Sequence, residues 1–249
     1  MSVSAVPPGR EESIVLVVAK APVAGRVKTR LAAAIGPLEA SALARAMLLD
    51  TLDGCRREVA SVGVLCSGND EVELLAELAG PGAPVVVQEG VGLGDALRTG
   101  VRHALDLGDI ALLVSSDIPG IPAGALHCAV SLLGDGVDVV LGPGYDGGYW
   151  LIGVREQHLG LFDDIPWSTE RVLEATLERC SELALKSRLL EPWRDIDTTD
   201  DLAILADRLD TLPGRRTAEL FTHVSLPIPG PHLRSTEEHA PTTEEVRAP

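Results

Sequence analysis

The sequence predicts an α/β protein, a single domain of three layers (α/β/α) in which helices cover both faces of a mostly parallel sheet. Short apolar, β-branched segments alternate with amphipathic segments along most of the chain, which is typical of βαβ units. A length of 249 residues suits one large domain of this class. No internal repeat of about 20 to 50 residues interrupts the alternation.

The first third of the chain contains two predicted strands and two predicted helices. The β-branched run SIVLVVAK, 13–20, suits a strand that is buried on both faces. A helix is expected over 37–55, because Pro37 is a favourable first helical residue and apolar residues recur at helical spacing. The next strand is SVGVLCS, 61–67, and the next helix is 71–80, which ends at a glycine.

The middle of the chain repeats this alternation. The strand VVVQ, 85–88, is followed by a helix over 94–108. The apolar strand IALLVSSD, 110–117, is followed by a helix over 124–136. Because 110–117 begins with five apolar residues in a row, we expect this strand to be central in the sheet and buried.

The last predicted elements lead from two neighbouring strands to a final helix. The strands cover 137–143 and 149–154, and a helix over 168–184 then opens at a capping serine. A short strand closes at LLEP, 189–192. The final helix, 198–209, begins at a threonine cap with carboxylates in its first turn, where they favour the helix dipole.

The ends of the chain are predicted to lie outside the folded domain, which we place at 13–224. Residues 1–12 are expected to form a flexible leader. Residues 225–249 are rich in Pro, Thr and Glu and poor in apolar side chains, so we expect a disordered tail.

Composition excludes several classes of protein. With 21 Lys and Arg against 37 Asp and Glu, the net charge is −16, which argues against general nucleic-acid binding. The longest apolar run, 14–19, is far shorter than the roughly 20 residues that span a membrane. No secretory signal is evident, and the four cysteines form no CxxC pair. A cytoplasmic protein without a membrane segment is therefore expected.

One basic segment stands out in this acidic chain. KAPVAGRVKTRL carries Lys20, Arg26, Lys28 and Arg30, and no acidic residue occurs anywhere in 13–38. The segment leaves the first strand and enters a helix, and Gly25 permits a tight turn there. Cations and free backbone N–H groups at a helix start bind anions, so the segment predicts a nucleotide phosphate site. The alternative is a solvated basic turn.

Three carboxylates are predicted near strand ends. Asp117 ends the strand 110–117, where it could bind Mg²⁺ (or Mn²⁺) or merely cap the following turn. Asp195 and Asp197 are separated by one residue and would point the same way in an extended segment. One of these two could then reach a metal ion while the other braces it.

A glycine- and aromatic-rich segment, GPGYDGGYWLIG, predicts a pocket wall for a sugar or an acceptor. Aromatic side chains are few in this chain, yet most of them cluster in or just after this segment. The alternative is an aromatic mini-core under a β-hairpin. The candidate residues of the pocket are Gly147, Gly148, Tyr149, Trp150 and Trp167.

A second glycine-containing stretch, QEGVGLGDALRTG, precedes a helix. Gly92 and Gly94 could let the backbone approach a base or a ribose. Other chemistries lack support, because none of the six histidines pairs at metal spacing and no GxSxG motif occurs. The remaining constellation suits Mg²⁺-assisted transfer from a nucleotide, in which positioning and charge neutralisation dominate catalysis.

Five ordered motifs carry a family resemblance over residues 14–212. KAPVAGRVKTRL, SSDIPGIP, GPGYDGGYWLIG, IPWST and DIDTTDDL resemble the DUF2064 family, also called radical-SAM/selenodomain-associated transferase 1. This family lies in the nucleotide-diphospho-sugar transferase superfamily, so the resemblance implies a glycosyltransferase-A-type fold. Its members are usually labelled glycosyltransferases.

A second resemblance bears on the reaction. The basic segment is similar to the first loop of phospholactate guanylyltransferases, and Asp117-Ile118-Pro119 looks like the Asp-x-Pro metal turn of nucleotidyltransferases. Glycosyltransferases of this fold usually show Asp-x-Asp, whereas this chain has Ser115-Ser116-Asp117.

These observations lead to three hypotheses about function. The favoured one is nucleotidyl transfer, in which a small phosphorylated or phosphonate acceptor attacks the α-phosphate of an NTP and pyrophosphate leaves; Lys28 would be catalytic. The alternative is glycosyl transfer from a nucleotide-diphospho-sugar, with Asp146 as a possible base. The third is a non-catalytic nucleotide-binding protein. For both enzymes the partners are a nucleotide and a small-molecule acceptor.

Overall fold

The computed structural model describes residues 11–158 and 160–223, and it confirms the predicted α/β class. The described residues form a single seven-stranded sheet. The strands are β1 (Glu11–Val18), β2 (Ser61–Cys66), β3 (Val85–Val87), β4 (Gly108–Ser115), β5 (Val139–Pro143), β6 (Tyr149–Val154) and β7 (Ser187–Leu189). The α-helices are α1 (Thr29–Ile35), α2 (Pro37–Glu58), α3 (Val72–Ala79), α4 (Leu93–Leu107), α5 (Ala125–Gly134), α6 (Val172–Glu182), α7 (Thr199–Ala206) and α8 (Arg215–His223).

The sheet is mostly parallel, as predicted, with the strand order β3-β2-β1-β4-β6-β5-β7. Strands β1, β2, β3 and β4 pair in parallel, and β7 pairs in parallel with β5. Only β6, among the described strands, runs antiparallel to its neighbours β4 and β5. The carboxyl ends of β1, β2, β3 and β4 therefore meet at one edge of the sheet, where such folds bind ligands.

Helices cover both faces of the sheet and bury its apolar side chains. Val15 and Val17 of β1 pack on one side against α2, α3 and α5. Ile14 and Leu16 point to the other side, where α4 and α6 cover the sheet. Both faces of β1 are thus buried, as its unbroken β-branched run predicts.

A third apolar cluster lies on the outer side of α2, where α1, α7 and α8 pack. The helix α8 was not predicted, because a buried carboxylate on another helix anchors its start. Asp50 of α2 is 3% exposed and accepts hydrogen bonds from the Thr217 N–H at 2.8 Å and the Thr217 hydroxyl at 2.8 Å. These partners are far apart in sequence, so no local pattern indicates the contact.

Two helix starts test the capping predictions. Thr198 caps α7 as predicted, and Asp201 completes a reciprocal capping box. The predicted cap at Ser168 is wrong, because α6 begins at Val172 with Arg171 at its N-cap. Ser168 instead has a left-handed backbone conformation with φ 64°.

The predicted boundaries fall partly outside the described residues. Strand β1 starts two residues before the predicted domain boundary at 13, while residues 1–10 and the predicted tail, 225–249, lie outside the described ranges. Within those ranges, no helix is both long and apolar enough to cross a membrane.

Candidate active site

A cleft of about 1390 Å³ opens at the carboxyl ends of the parallel strands and brings together the segments that the sequence singled out. Most of the predicted site residues line it: Lys20, Arg26, Lys28, Arg30, Gly92, Asp117, Asp146, Gly148, Tyr149, Trp150, Asp195 and Asp197. Four predicted residues are not among its lining residues: Gly25, Gly94, Gly147 and Trp167.

The basic segment forms one wall of the cleft. Gly25 makes its tight turn at φ 80°, and Arg30 lies in the first turn of α1. No acid is near these cations in sequence, but the fold brings some of them carboxylate partners. Arg26 pairs with Asp70 at 2.7 Å. Among the described residues, Lys20 and Arg30 contact no carboxylate, so their charges face the cleft without compensation.

Lys28 is the centre of the site. Its ammonium nitrogen Nζ lies 2.6 Å from Asp197 Oδ1 and 2.8 Å from Asp117 Oδ1, and its side chain is only 3% exposed. Burial alone would lower the pKa of Lys28, but the charges of Asp117 and Asp197 outweigh burial and raise the pKa above its ordinary value. The residue is therefore a buried, permanent cation between two carboxylates at neutral pH.

The backbone of Lys28 is unusual as well. It has φ 47° and ψ 45°, a left-handed conformation that residues other than glycine seldom adopt. Such conformations persist where surrounding contacts enforce them, and they cluster at functional sites.

Asp117 and Asp197 come from separate segments that one backbone contact holds side by side. Asp117 follows β4, and its carbonyl oxygen accepts the N–H of Ile196 at 2.9 Å. This bond places the chain around Asp197 next to the end of β4. The Asp201 carboxylate also accepts the Asp197 N–H, at 3.2 Å. The capping box of α7 therefore helps to fix the second carboxylate.

The donor set of this pair fits a hard divalent cation. One oxygen of Asp117 and one of Asp197 lie within 2.8 Å of a single positively charged atom, so both can face one cation. Mg²⁺ is commonly held by one or two carboxylates, with water and substrate phosphates completing its shell. Within 11–158 and 160–223, no three His, Cys, Asp or Glu side chains form a ready-made metal cluster.

Asp195 lies on the same segment but has a different environment. Burial, followed by the charges of Asp146 and Asp197, raises the pKa of Asp195 to about 6. Its carboxyl group therefore takes up a proton more readily than an ordinary aspartate does. Asp195 lines the cleft, but among the described residues it forms no ion pair with Lys28, whose carboxylate partners are Asp117 and Asp197.

The glycine-rich segment between β5 and β6 forms another wall of the cleft. Asp146 Oδ1 accepts the Gly148 N–H at 2.9 Å, and the Gly148 carbonyl accepts the Gly144 N–H at 2.9 Å. Gly147 has φ 85°, and a Cβ atom there would lie 2.0 Å from the Glu170 carbonyl oxygen. Gly147 thus allows the loop to lie directly against the backbone before α6, rather than lining the cleft.

The aromatic residues divide between the cleft and the core. Trp150 lines the cleft but is almost fully buried in the main apolar cluster. Tyr149 also lines the cleft, and its hydroxyl is buried beside Thr176. Burial raises its pKa strongly. Trp167 packs on Phe162 and on α4, where a Cβ at Gly94 would lie 2.6 Å from its Nε1. Gly94 and Trp167 are therefore packing partners.

A buried carboxylate that the sequence did not single out supports the basic segment. Glu71 is 5% exposed, and its Oε1 accepts the N–H of Ala21, just after β1, at 3.2 Å. Its Oε2 accepts the Ser67 N–H at 3.0 Å and the Ser67 hydroxyl at 2.7 Å, just after β2. Glu71 thus ties two strand ends together where the cleft begins. Its partner Ala21 is 50 residues away, so no local signal could reveal it.

We predict that Glu71→Ala weakens nucleotide binding by about tenfold and lowers the free energy of unfolding by about 1 to 3 kcal/mol. The reason is that the donors of Ala21 and Ser67 lose their buried acceptor, which releases the start of the basic segment. Calorimetric titration and thermal melting measure the two effects. Glu73→Ala, an exposed glutamate on α3, is the control, and nucleotide affinity equal to the control's would contradict this role.

Solved structures of other proteins share this fold. A structure from Desulfovibrio desulfuricans G20, assigned as a nucleotide-diphospho-sugar transferase, is 32% identical with a TM-score of 0.79, covering 85% of this chain and 94% of that chain. The inositol-1-phosphate CTP transferase from T. maritima has the same fold at 13% identity, with a TM-score of 0.54 over 86% of this chain and 99% of its own.

Two curated relatives are named for one particular reaction. A phosphoenolpyruvate guanylyltransferase from Roseiflexus sp. (strain RS-1) is 32% identical over 198 residues, which is 79% of this chain and 86% of that protein. Another protein of that name, from Sphaerobacter thermophilus, is 36% identical over 110 residues, 43% of this chain and 51% of its own.

Fold, cleft and relatives together define a nucleotidyltransferase, an enzyme that moves a nucleoside monophosphate from a nucleoside triphosphate. The family model described as "Uncharacterized protein conserved in bacteria (DUF2064)" matches residues 51–169. The chain belongs to the DUF2064 family, and the predicted resemblance is confirmed.

Proposed function

We propose that this enzyme transfers a guanylyl group from GTP to phosphoenolpyruvate and releases pyrophosphate. The observation that carries the proposal is the Lys28 ammonium between Asp117 and Asp197, at the strand ends and beside an acid-free cationic segment. The choice of GTP and of a small phosphorylated acid follows the names of the relatives at 32% and 36% identity.

The triphosphate is assigned to the basic wall. Lys20 and Arg30 line the cleft, and neither contacts a carboxylate among the described residues. Arg26 lines the same wall beside them and shares its charge with Asp70. In a chain of net charge −16, a tetraanionic ligand is repelled at long range, but salt screens this repulsion over about 8 Å. A local cluster of cations then decides where the ligand binds.

Asp117 and Asp197 would hold Mg²⁺ (or Mn²⁺), because their oxygens converge on one cation position. When bound, the metal supplies positive charge that neutralises the phosphate oxygens during transfer. Asp195 lies two residues before Asp197 and lines the same cleft, and we assign it the role of bracing this pair.

The reaction needs little proton transfer. A phosphate oxygen of the acceptor attacks the α-phosphorus, the bond from this phosphorus to the β-bridging oxygen breaks, and pyrophosphate leaves with that electron pair. A phosphate acceptor is already anionic at neutral pH, so the attack requires no general base. Asp146 accordingly orders the glycine-rich loop through its bond to the Gly148 N–H, and the loop lines the part of the cleft left for the acceptor.

Glycosyl transfer is the second candidate. It is favoured by the Desulfovibrio desulfuricans G20 structure, because that protein is assigned as a nucleotide-diphospho-sugar transferase and is 32% identical over most of this chain. In that reaction, the same cationic wall would bind a diphosphate, and a nucleoside diphosphate would leave in place of pyrophosphate.

The products distinguish the two candidates. The purified full chain is incubated with each of the four NTPs, or with a set of sugar nucleotides, and a panel of small phosphorylated acids, with Mg²⁺ and with EDTA. We expect Mg²⁺-dependent pyrophosphate release that requires both GTP and phosphoenolpyruvate. Release of a nucleoside diphosphate from a sugar nucleotide, without pyrophosphate from any NTP, would instead establish the glycosyl reaction.

We predict that Arg30→Ala raises the dissociation constant for GTP, equivalent to a loss of about 1.5 to 3 kcal/mol of binding free energy. Arg30 is exposed in the first turn of α1 and lines the cleft, so its truncation removes a charged hydrogen bond without disturbing the core. Calorimetric titration with GTP and Mg²⁺ measures the change. Arg188→Ala, an exposed arginine on β7, is the control, and equal affinities in the two variants would refute the phosphate assignment.

A further inference from the structure

We propose that Lys28 is an internal cation that occupies the metal position of Asp117 and Asp197 until the nucleotide arrives, so that the metal binds tightly only together with the nucleotide. This inference rests on the proposed function, because it takes these two aspartates as the carboxylates that hold the metal. It adds that the metal binds tightly only once the nucleotide is present, and it attributes this order to the Lys28 side chain.

The first observation behind this inference is the set of contacts that the Lys28 ammonium group makes. Lys28 Nζ lies within 2.8 Å of one oxygen from each aspartate, and these two carboxylates are 49% and 40% exposed while the lysine side chain is 3% exposed. The lysine therefore reaches the pair from the protein side, and the oxygens remain open to the cleft. Two negatively charged groups from separate segments are thus partly neutralised by one internal positive charge.

The ammonium and a metal ion would have to share the same two carboxylate oxygens. Mg²⁺ binds such oxygens at about 2.0 to 2.1 Å, so an ion that contacted Asp117 Oδ1 and Asp197 Oδ1 would lie close to the ammonium nitrogen. Two cations so close together repel strongly at a buried site. Metal without nucleotide must therefore compete with Lys28, which the fold already holds in place.

The nucleotide supplies the alternative partner for Lys28. The residue lies in the basic segment between Arg26 and Arg30, and it lines the same cleft. A triphosphate bound there offers oxygens to the ammonium, which can then leave the carboxylates to the metal. The strained backbone of Lys28, at φ 47°, is held by the present contacts, and a change of partner would release that constraint.

Thermodynamic linkage gives this inference a sharp consequence. If the nucleotide removes Lys28 from the metal position, it must raise metal affinity, and the metal must raise nucleotide affinity by the same factor. Without the ammonium, the two carboxylates would bind metal in the absence of nucleotide. The factor by which each ligand raises the affinity for the other would then be smaller.

The test measures Mn²⁺ binding directly, from the electron paramagnetic resonance signal of free Mn²⁺, with and without GTP. Lys28→Met keeps the approximate length of the side chain and removes its charge. In the absence of GTP, we expect this variant to bind Mn²⁺ at least about tenfold more tightly than the wild type. We also expect GTP to raise Mn²⁺ affinity by a smaller factor in the variant than in the wild type.

A matched control separates this effect from a general change of charge. Arg188→Met removes one positive charge at an exposed position on β7, and Arg188 does not line the cleft. Its Mn²⁺ affinity without GTP should stay within about twofold of the wild type, because exposed charges are screened. If thermal melting shows that Lys28→Met does not fold, Lys28→Gln is titrated instead, with the same expected direction.

The outcomes also separate this inference from the proposed function. If wild-type protein binds Mn²⁺ with GTP, Asp117→Asn does not, and Lys28→Met gains no affinity for Mn²⁺ alone, the inference is overturned while the metal assignment stands. If Asp117→Asn binds Mn²⁺ and GTP like the wild type, the metal assignment itself is wrong. Tighter Mn²⁺ binding by Lys28→Met, with the control unchanged, supports the inference.

Discussion

Asp117→Asn is expected to reduce transfer from GTP by at least about a thousandfold while the protein stays folded. The substitution keeps the shape of the side chain but removes one of the two charges that face the cation position. Asp197 alone must then hold the metal, and Lys28 keeps its contact with Asp197 at 2.6 Å. The turnover number at saturating GTP, acceptor and Mg²⁺ measures the loss.

The control for this result is Asp135→Asn, which makes the same chemical change at an exposed position after α5. Its turnover should match that of the wild type. Thermal melting of both variants checks that the fold is kept. We expect it to be kept, because the hydrogen bond from the Ile196 N–H to the Asp117 carbonyl does not involve the substituted side chain. Wild-type turnover in Asp117→Asn would exclude this carboxylate from the metal site.

Gly147→Ala is expected to displace the glycine-rich loop between β5 and β6, which lines the part of the cleft that we assign to the acceptor. The new Cβ would lie 2.0 Å from the Glu170 carbonyl oxygen, so the loop or the chain before α6 must move. The loop is also tied to α6 by the Leu173 N–H, which donates to the Gly147 carbonyl at 2.8 Å. We expect the KM for the acceptor to rise at least about tenfold, because small displacements at an active site are costly. The affinity for GTP should change little.

Gly136→Ala is the control for backbone strain in this experiment. Gly136 also has a positive φ, 90°, but a Cβ there would meet no atom within 4 Å. It should therefore show only the cost of a left-handed alanine, about 1 kcal/mol of unfolding free energy, with an unchanged acceptor KM. If the two variants had the same acceptor KM, the contact with Glu170 would not matter for the site.

The sequence predicted the fold well because the relevant signals are local. The strand β1 is an unbroken β-branched run, and α7 begins with a threonine cap and early carboxylates, so each pattern is contained within a few residues. The position of the cleft followed from the same reasoning, since parallel strands place their carboxyl ends at one edge. The basic segment and Asp117 both follow such strand ends, and both line the cleft.

The contacts between these segments could not be predicted in the same way. Lys28 was expected to hold phosphate, yet in this structure its ammonium contacts Asp197, which lies 169 residues further along the chain. Glu71 and Asp50 also act through partners far away in sequence, and neither belongs to a recognisable motif. The roles of such buried carboxylates depend on which backbone N–H groups the fold brings to them.

The most direct test of nucleotidyl transfer follows the position of a label in GTP. The enzyme is incubated with phosphoenolpyruvate and Mg²⁺, in parallel with GTP labelled at the α-phosphorus and at the γ-phosphorus. We expect the α-label to appear in a guanylylated acceptor and the γ-label to appear in pyrophosphate, and both signals to be lost in Asp117→Asn. Transfer of the γ-label to the acceptor, or no transfer of either label, would contradict nucleotidyl transfer.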